Sequence, residues 1–211
     1  MQTILSTAEL YRSHMMNFKK EQLLKIKAVI LYVLQHFPAG VDYIHLFKIM
    51  YFSQRQHLVT YGLPLIDESF SARKHGPVPE YTYQALRTLD KKTGGCYNQY
   101  RWVASSIDIL IEDGHPIFRL KEGVQYDPDE LSVSNVEILD AEIERCKDIP
   151  AFKLSELSHD DVAYLRAWKR FEETGEDSLI PMIEIAEAGG ASKEMQQVIR
   201  ERLWIQNTLE Q

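Results

Sequence analysis

Residues 46–79, LFKIMYFSQRQHLVTYGLPLIDESFSARKHGPVP, decide how the chain folds. Apolar side chains recur at helical spacing as far as Tyr61, which predicts a helix. Asp42, just before this segment, is a suitable N-cap because its carboxylate can accept from the free N–H groups of a first turn. Gly62 suits the left-handed position that ends a helix, and Pro64 prevents the helix from continuing.

The second half of this stretch predicts a short strand and a tight loop. Residues 70–73 (FSAR) have the content of a strand. Residues 74–79 (KHGPVP) are expected to form a loop whose backbone the prolines fix. A further helix is predicted to start near Glu80.

The N-terminal side of the chain predicts a central helix. Residues 20–37 repeat apolar side chains about every 3.6 residues, and these side chains wrap widely around the helix. The Pro-Ala-Gly segment at 38–40 ends it. Residues 1–20 are polar with scattered apolar positions and form an N-terminal extension, with a short amphipathic helix from Thr7.

The middle of the chain has β-like content. Residues 100–111 and 117–120 are predicted to form a β-hairpin around the turn at 113–116. A turn is also expected at 92–95 and a loop at 123–129. Further helices are predicted over 134–147, 154–157, 160–172, 178–188 and 191–209, with a break at Gly189-Gly190. The expected fold class is α+β and mainly α: a compact helical domain with a small antiparallel β-hairpin or sheet.

The composition of the chain limits the class of protein to which it can belong and indicates its cellular compartment. The chain has 211 residues, of which 45% are hydrophobic and 26% charged, and this excludes overall disorder. The longest apolar run, Ala28 to Leu34, is far shorter than the about 20 residues that span a membrane. The first 20 residues lack the apolar segment of a signal peptide. Cys96 and Cys146 are then expected to be reduced thiols, and we predict a cytoplasmic protein with no membrane partner.

Charge is distributed unevenly along the chain, whose net charge is −7. Residues 1–102 carry 13 basic and 7 acidic residues, residues 103–161 carry 5 and 15, and residues 162–211 carry 6 and 9. We interpret these segments as solvated faces, and the basic half is also able to face an anionic partner. The acidic stretch argues against a general affinity of the whole molecule for nucleic acid.

The local motifs of common enzyme classes are missing from the sequence. Gly94-Gly95 has neither the spacing nor the following lysine of a phosphate loop, and no GxSxG segment occurs. The histidines form no HExxH or HxxxH pair and the cysteines form no CxxC pair, which are common metal-binding spacings. We therefore predict no enzyme activity, no metal and no cofactor. A Cys–His pair that only the fold brings together stays open.

The pattern of residues 46–79 resembles a known family. It contains K-x-x-Y-F, then H-L-x-x-Y-G-x-P, then F-x-A-x-x-x-G-P-V. The segments SNVEILD at 134–140 and LSELSH at 154–159, followed by Trp168, fit the same family. Over about residues 25–170 the chain resembles the Panacea domain, also called the SocA-like or phage-associated GepA domain.

The resemblance implies a non-enzymatic protein-binding module similar to the antitoxin of a toxin–antitoxin pair, often in prophages. Such antitoxins neutralise the toxin of an adjacent gene by direct contact. Some resemble adaptors that present the toxin to a protease. No catalytic residue follows from the resemblance. The Panacea-like domain would take residues 21–170, with residues 171–211 as a helical extension packed on the same domain.

Candidate site residues follow from the resemblance and from the residue types. An Arg-Lys-His run beside a rigid Gly-Pro turn offers hydrogen-bond donors to an acidic partner or a phosphate. The candidate partner-binding residues are Arg55, His57, Tyr61, Arg73, Lys74 and His75. The residues predicted to serve the structure are Tyr51, Phe52, Gly62, Pro64, Gly76, Pro77, Val78, His159 and Trp168. Of these, His159 is expected near a helix start, hydrogen-bonded across the domain, and Trp168 in the core.

Two other classes of function remain open at this point. Residues 22–61 resemble part of a winged helix, which makes a DNA-binding regulator the alternative function. Its candidate DNA contacts are Lys48, Gln54, Arg55 and Gln56, although the apolar load of this helix favours burial. An enzyme would need the candidate histidines and Arg73 to meet a carboxylate in one pocket. The sequence does not indicate an oligomeric state.

Overall fold

The computed structural model describes residues 20–89, 98–175 and 178–209. This part of the chain is mainly helical with two small antiparallel sheets, which confirms the predicted fold class. The helices are α1 (Lys20–Gln35), α2 (Tyr43–Tyr61), α3 (Glu80–Arg87), α4 (Asn98–Ala104), α5 (Val133–Cys146), α6 (Ala151–His159), α7 (Val162–Thr174), α8 (Met182–Ala188) and α9 (Lys193–Leu209), with a 3-10 turn at Pro128–Glu130. The strands are β1 (Val41–Asp42), β2 (Phe70–Arg73), β3 (Gly76–Pro79), β4 (Ile107–Glu112), β5 (His115–Leu120) and β6 (Leu179–Ile180).

Helix α2 lies at the centre of the fold and is buried along most of its length. Its predicted ends are confirmed. The carboxylate of Asp42 accepts from the backbone N–H of His45 at 2.9 Å, which satisfies a free donor of the first turn. Gly62 adopts the left-handed conformation with φ of 64° and donates to the carbonyl of Leu58. A Cβ at Gly62 would lie 2.5 Å from the sulfur of Met195, so α9 packs directly on this turn.

The predicted loop at 74–79 is wrong, because residues 76–79 form strand β3. Only Lys74 and His75 make the turn between β2 and β3. The two prolines misled the prediction. Pro77 and Pro79 pair with Ala72 and Phe70 at positions where the missing N–H would point away from β2. Strand β3 is an edge strand in the order β3-β2-β6, so it tolerates both prolines.

The second sheet has the order β1-β5-β4, and its hairpin turn is where the sequence predicts it. Asp113 and Gly114 both have positive φ, 48° and 79°, as a two-residue hairpin turn requires. The prediction that the first strand begins at residue 100 is wrong, since Asn98–Ala104 is helix α4. Tyr100 and Val103 are spaced for one helix face, and both are buried.

The C-terminal third follows the predicted order with shifted boundaries. Ser132 caps α5 in a reciprocal capping box with Asn135, so the helix begins at Val133, one residue before the predicted start. Helix α6 is longer than predicted. The expected helix at 178–188 is wrong at its start, because residues 179–180 pair with β2 as strand β6 and the helix follows Pro181. The break at 189–190 is confirmed.

One hydrophobic core joins the helices and both sheets. Ile185 on α8 and Ile199 on α9 belong to it, together with side chains from α1 and α2. Both ends of the chain's described part therefore pack on the same core. The division into an extension, a domain and a C-terminal extension stays a prediction.

Among the described residues, no helix has the length and apolar character needed to cross a membrane. The predicted helix from Thr7, the turn at 92–95 and the thiol of Cys96 lie outside the described residues. Cys146 is buried and is a free thiol.

Candidate protein-binding surface

The turn between β2 and β3 presents the Arg-Lys-His run that the sequence singles out. Arg73, Lys74 and His75 are all exposed there, and we call these three residues the basic tip. The three residues lie at the end of the hairpin because a two-residue turn joins β2 to β3 there. The remaining residues of the hairpin, including Gly76 and Pro77, are buried.

Three hydrogen bonds from different helices hold the backbone around the basic tip. The hydroxyl of Tyr164 on α7 donates to the carbonyl of Arg73 at 3.2 Å. The hydroxyl of Ser155 on α6 donates to the carbonyl of His75 at 3.3 Å. The amine of Lys48 on α2 donates to the carbonyl of Pro77 at 2.9 Å. The tip is therefore exposed in its side chains but fixed in its backbone.

Lys48 is an unusual support, since its side chain is only 1% exposed. Burial lowers its pKa from 10.5 to about 7, because the charged amine loses its hydration. Directly above it, Gly76 has φ of 96°, and a Cβ there would collide with the amine of Lys48 and the hydroxyl of Ser158. Only glycine fits at residue 76 without displacing these groups.

Arg73 is held in place by a buried carboxylate. Its guanidinium donates to both oxygens of Glu80 at 2.8 and 3.0 Å, and the hydroxyl of Ser71 also donates to Glu80. The guanidinium lies 4.8 Å from the ring centre of Tyr83, and the guanidinium of Arg87 lies 5.4 Å from the same ring. Glu80 balances the charge of Arg73.

Lys74 and Arg87 carry charges that no carboxylate balances in the part of the chain that the structure describes. Phe152 lies one helical turn before Ser155, which contacts the tip, and is 67% exposed. Exposed aromatic side chains and arginines are enriched in protein interfaces. We call the basic tip together with Tyr83, Arg87 and Phe152 the hairpin surface.

A row of stacked rings supports the hairpin from α6 and α7. His159 stacks on Tyr164 with ring centres 5.0 Å apart, and Tyr164 stacks on Trp168 at 6.1 Å. His159 is the last residue of α6, so its predicted place at a helix start is wrong. Its Nε2 is buried and has no hydrogen-bond partner among the described residues. Trp168 is partly buried and packs against the core.

The other candidate residues lie farther along α2, away from the basic tip. His57 follows Lys48 by nine residues, about 13 Å along a helix axis. Its ring is buried, with one nitrogen 2.7 Å from the carbonyl of Leu63 and the other 2.9 Å from the amide of Asn135. Burial lowers its pKa. Tyr61 is partly exposed and packs against the ring of His57.

Arg55 takes part in a network that joins α2 to α7. Its guanidinium donates to Asp161 at 2.8 Å, and the hydroxyl of Tyr51 donates to the same carboxylate at 2.9 Å. Asp161 also caps α7 by accepting from the backbone N–H groups of Ala163 and Tyr164. The side chain of Asp161 is almost fully buried, so the network is a structural connection.

Sequence reasoning missed the residues that hold the hairpin, namely Lys48, Glu80, Ser155 and Tyr164. Ser155 belongs to the segment LSELSH, which carries the family resemblance, but its hydroxyl donates to the carbonyl of His75, 80 residues away. Ser158 of the same segment donates to the carbonyl of Ser155. Among the residues predicted to serve the structure, Tyr51, Phe52 and Val78 are buried and Pro64 is partly buried.

Burial removes support from the two alternative functions. Lys48 and Gln54 are buried, and the amide of Gln54 bonds to the backbone of Ile66 on both its oxygen and its nitrogen. Two of the four candidate DNA contacts are therefore unable to reach a groove of DNA. His57 does not meet Arg73 in one pocket. No group of three or more potential metal ligands occurs within residues 20–89, 98–175 and 178–209.

Comparison with known proteins identifies the family of the chain. A family model described as antitoxin SocA-like, Panacea domain matches residues 46–165, which is more than half of the chain. The chain therefore belongs to the SocA-like Panacea family, whose name indicates an antitoxin-like role. No curated protein and no solved structure matched the chain.

Proposed function

We propose that this chain is an antitoxin that binds a protein toxin encoded by an adjacent gene and neutralises it by direct contact through the hairpin surface. One observation carries the proposal. The basic tip is exposed, yet α6 and α7 each fix its backbone by a hydrogen bond, and Lys48 on α2 holds Pro77 beside it. A side-chain cluster on a backbone that is already fixed loses less conformational entropy when it binds.

The chemistry of the surface indicates the kind of partner that it suits. Arginine and aromatic side chains supply most of the energy in protein interfaces, and the hairpin surface offers Arg73, Arg87, Tyr83 and Phe152. Lys74 and Arg87, whose charges no carboxylate of the described residues balances, favour an acidic patch on the toxin. Presentation of the bound toxin to a protease would be a second step that needs the same contact.

We also propose that the chain acts by binding alone, in the cytoplasm, without a chemical step or a cofactor. The support is the family, the missing catalytic motifs and the use of the buried polar groups. Lys48, Glu80 and Asp161 each hold a neighbouring element in place, as described above.

The experiment is co-expression of the tagged chain with the products of its flanking genes, followed by affinity purification and mass spectrometry. The test variant is Lys74→Glu. The control is Lys193→Glu, the same change at an exposed residue that begins α9, where an acidic side chain is favourable.

We expect a stoichiometric complex with a product that is toxic on its own. We also expect the toxin to inhibit the growth of cells that carry Lys74→Glu, whereas Lys193→Glu still protects the cell. Absence of any partner would contradict the antitoxin proposal. Equal protection by both variants would instead contradict the hairpin surface as the contact.

A further inference from the structure

We propose that the outer edge of strand β4 is a second binding site, which takes an extended segment of a partner protein as an added β-strand with alternating apolar and basic side chains. This site lies on the sheet β1-β5-β4, whereas the hairpin surface lies on the other sheet. The inference goes beyond the proposed neutralisation and does not depend on the toxin proposal.

The hydrogen-bond pattern of the β4–β5 pair shows which backbone groups face outward. Strand β4 stands at the end of its sheet and pairs only with β5 among the described strands. The N–H of Lys121 donates to the carbonyl of Ser106 at 3.1 Å, so this pair of residues is a bonded one. Bonded and non-bonded pairs alternate in an antiparallel ladder. The N–H and C=O groups of Ile107, Ile109 and Ile111 therefore point away from β5. Ile107 is buried, so the accessible part of this edge is at Ile109 and Ile111.

Pro116 independently supports this orientation of the backbone groups of β4. It lies opposite Ile111, and a residue without an N–H fits there because the pair exchanges no hydrogen bond. No hydrogen bond from the described residues reaches the outward groups of the three isoleucines. An unpaired edge of this kind is a template for another strand.

The edge strands β3 and β4 differ in how they are protected. On the other sheet, Pro77 and Pro79 remove the outward N–H groups of β3, and Lys48 takes up the carbonyl of Pro77. Strand β4, IDILIE, carries no proline and no lysine, and Ile111 is 61% exposed. The prolines and Lys48 close the edge of β3 to strand addition, whereas β4 has no proline and no lysine to protect its edge.

The side chains of β4 specify the added strand. Ile107, Ile109 and Ile111 share the face of Phe118, a core residue, so an added strand would place apolar side chains beside them. Asp108 and Glu112 share the opposite face. Asp108 lies 3.9 Å from Arg119 of β5, whereas Glu112 is exposed and has no ion pair with the described residues, so Glu112 favours lysine or arginine on the added strand. A second copy of β4 is a poorer occupant, because self-pairing would bring four carboxylates onto one face of the seam.

The probe is a short synthetic peptide of alternating valine and lysine, added to the full chain. A valine–glutamate peptide and a peptide N-methylated along one edge serve as controls. We expect amide hydrogen exchange to slow at Ile109 and Ile111 with the lysine peptide alone. Ile111→Pro, which removes one outward N–H, should abolish binding, and Ile111→Val, which keeps the N–H, should preserve it.

A charge reversal keeps the test decisive if the proline variant unfolds. The double variant Asp108→Lys, Glu112→Lys should lose about tenfold in affinity for the lysine peptide and gain about tenfold for the glutamate peptide. Lys74→Glu on the hairpin surface should leave the binding unchanged. No binding, equal binding of the N-methylated peptide, or a chain dimer that Ile111→Pro disrupts would overturn the proposal.

Discussion

At residue 76 the backbone has φ of 96°, and the space above it is filled by the amine of Lys48 and the hydroxyl of Ser158. We predict that Gly76→Ala lowers the free energy of unfolding by about 3 kcal/mol, because backbone strain and overpacking add. Gly114 is the matched control, since it has φ of 79° and no heavy atom within 4 Å of an added Cβ. Gly114→Ala should cost about 1 kcal/mol, from strain alone. Chemical denaturation measures both, and equal losses would contradict the crowding at residue 76.

The lowered pKa of Lys48 predicts that the stability of the fold depends on pH. Its pKa is about 7 in the folded chain and 10.5 when unperturbed, so the unfolded chain binds more protons between these two values. The free energy of unfolding contributed by Lys48 therefore rises with pH from about 7 to 10.5, by at most about 1.4 kcal/mol per pH unit.

The matching variant is Lys48→Met, which keeps the length of the side chain and removes the titration. The stability of the parent chain relative to this variant should climb across that pH window and be flat below it. Buried Glu68, whose pKa is raised to about 8 by desolvation, changes stability in the opposite direction in both proteins and cancels in the difference. A constant difference between the two curves would show that Lys48 stays fully charged in the fold.

At the scale of elements, Asp161 connects α2 and α7, because it caps one helix and binds Tyr51 and Arg55 on the other. We predict that Asp161→Ala costs about 3 kcal/mol, from the lost cap and from the partners left unpaired. Tyr51→Phe removes one hydrogen bond alone and should cost about 1 kcal/mol. Thermal or chemical unfolding of both variants is the measurement. A similar loss in the two variants would mean that the cap and Arg55 contribute little.

How much the sequence predicts differs from element to element, for physical reasons. Helix α2 was predictable because its cap, its periodicity and its stop signal are all local. Residues 100–104 were assigned to a strand because tyrosine, tryptophan and valine favour strands, whereas packing on α3 makes them helical. The supports of the basic tip were not predictable, because Ser155 and Tyr164 contact residues that lie 80 and 91 positions earlier in the chain.

At the scale of the whole molecule, α9 decides whether the C-terminal residues belong to the cooperative core. Ile199 is buried in that core, while its neighbour Val198 is 40% exposed. We predict that Ile199→Ala costs about 3 kcal/mol, and that Val198→Ala costs less than about 1 kcal/mol. Both variants should keep a single unfolding transition. A separate early transition, or no effect of Ile199→Ala, would make α9 an independent interaction segment.

The pairing of β2 with β6 has a consequence for the synthesis of the chain. Ser71 pairs with Leu179, so the sheet that carries the basic tip is completed only when residues near the C-terminus leave the ribosome. At common elongation rates this is about 5 to 20 seconds after β2 has been made. Ser155 and Tyr164 supply two of the hydrogen bonds that fix the basic tip, so the nascent chain carries the hairpin sequence without these supports until α6 and α7 have been made. The surface proposed to meet the toxin is therefore finished late in translation, and a chain cut short before residue 155 would lack both bonds.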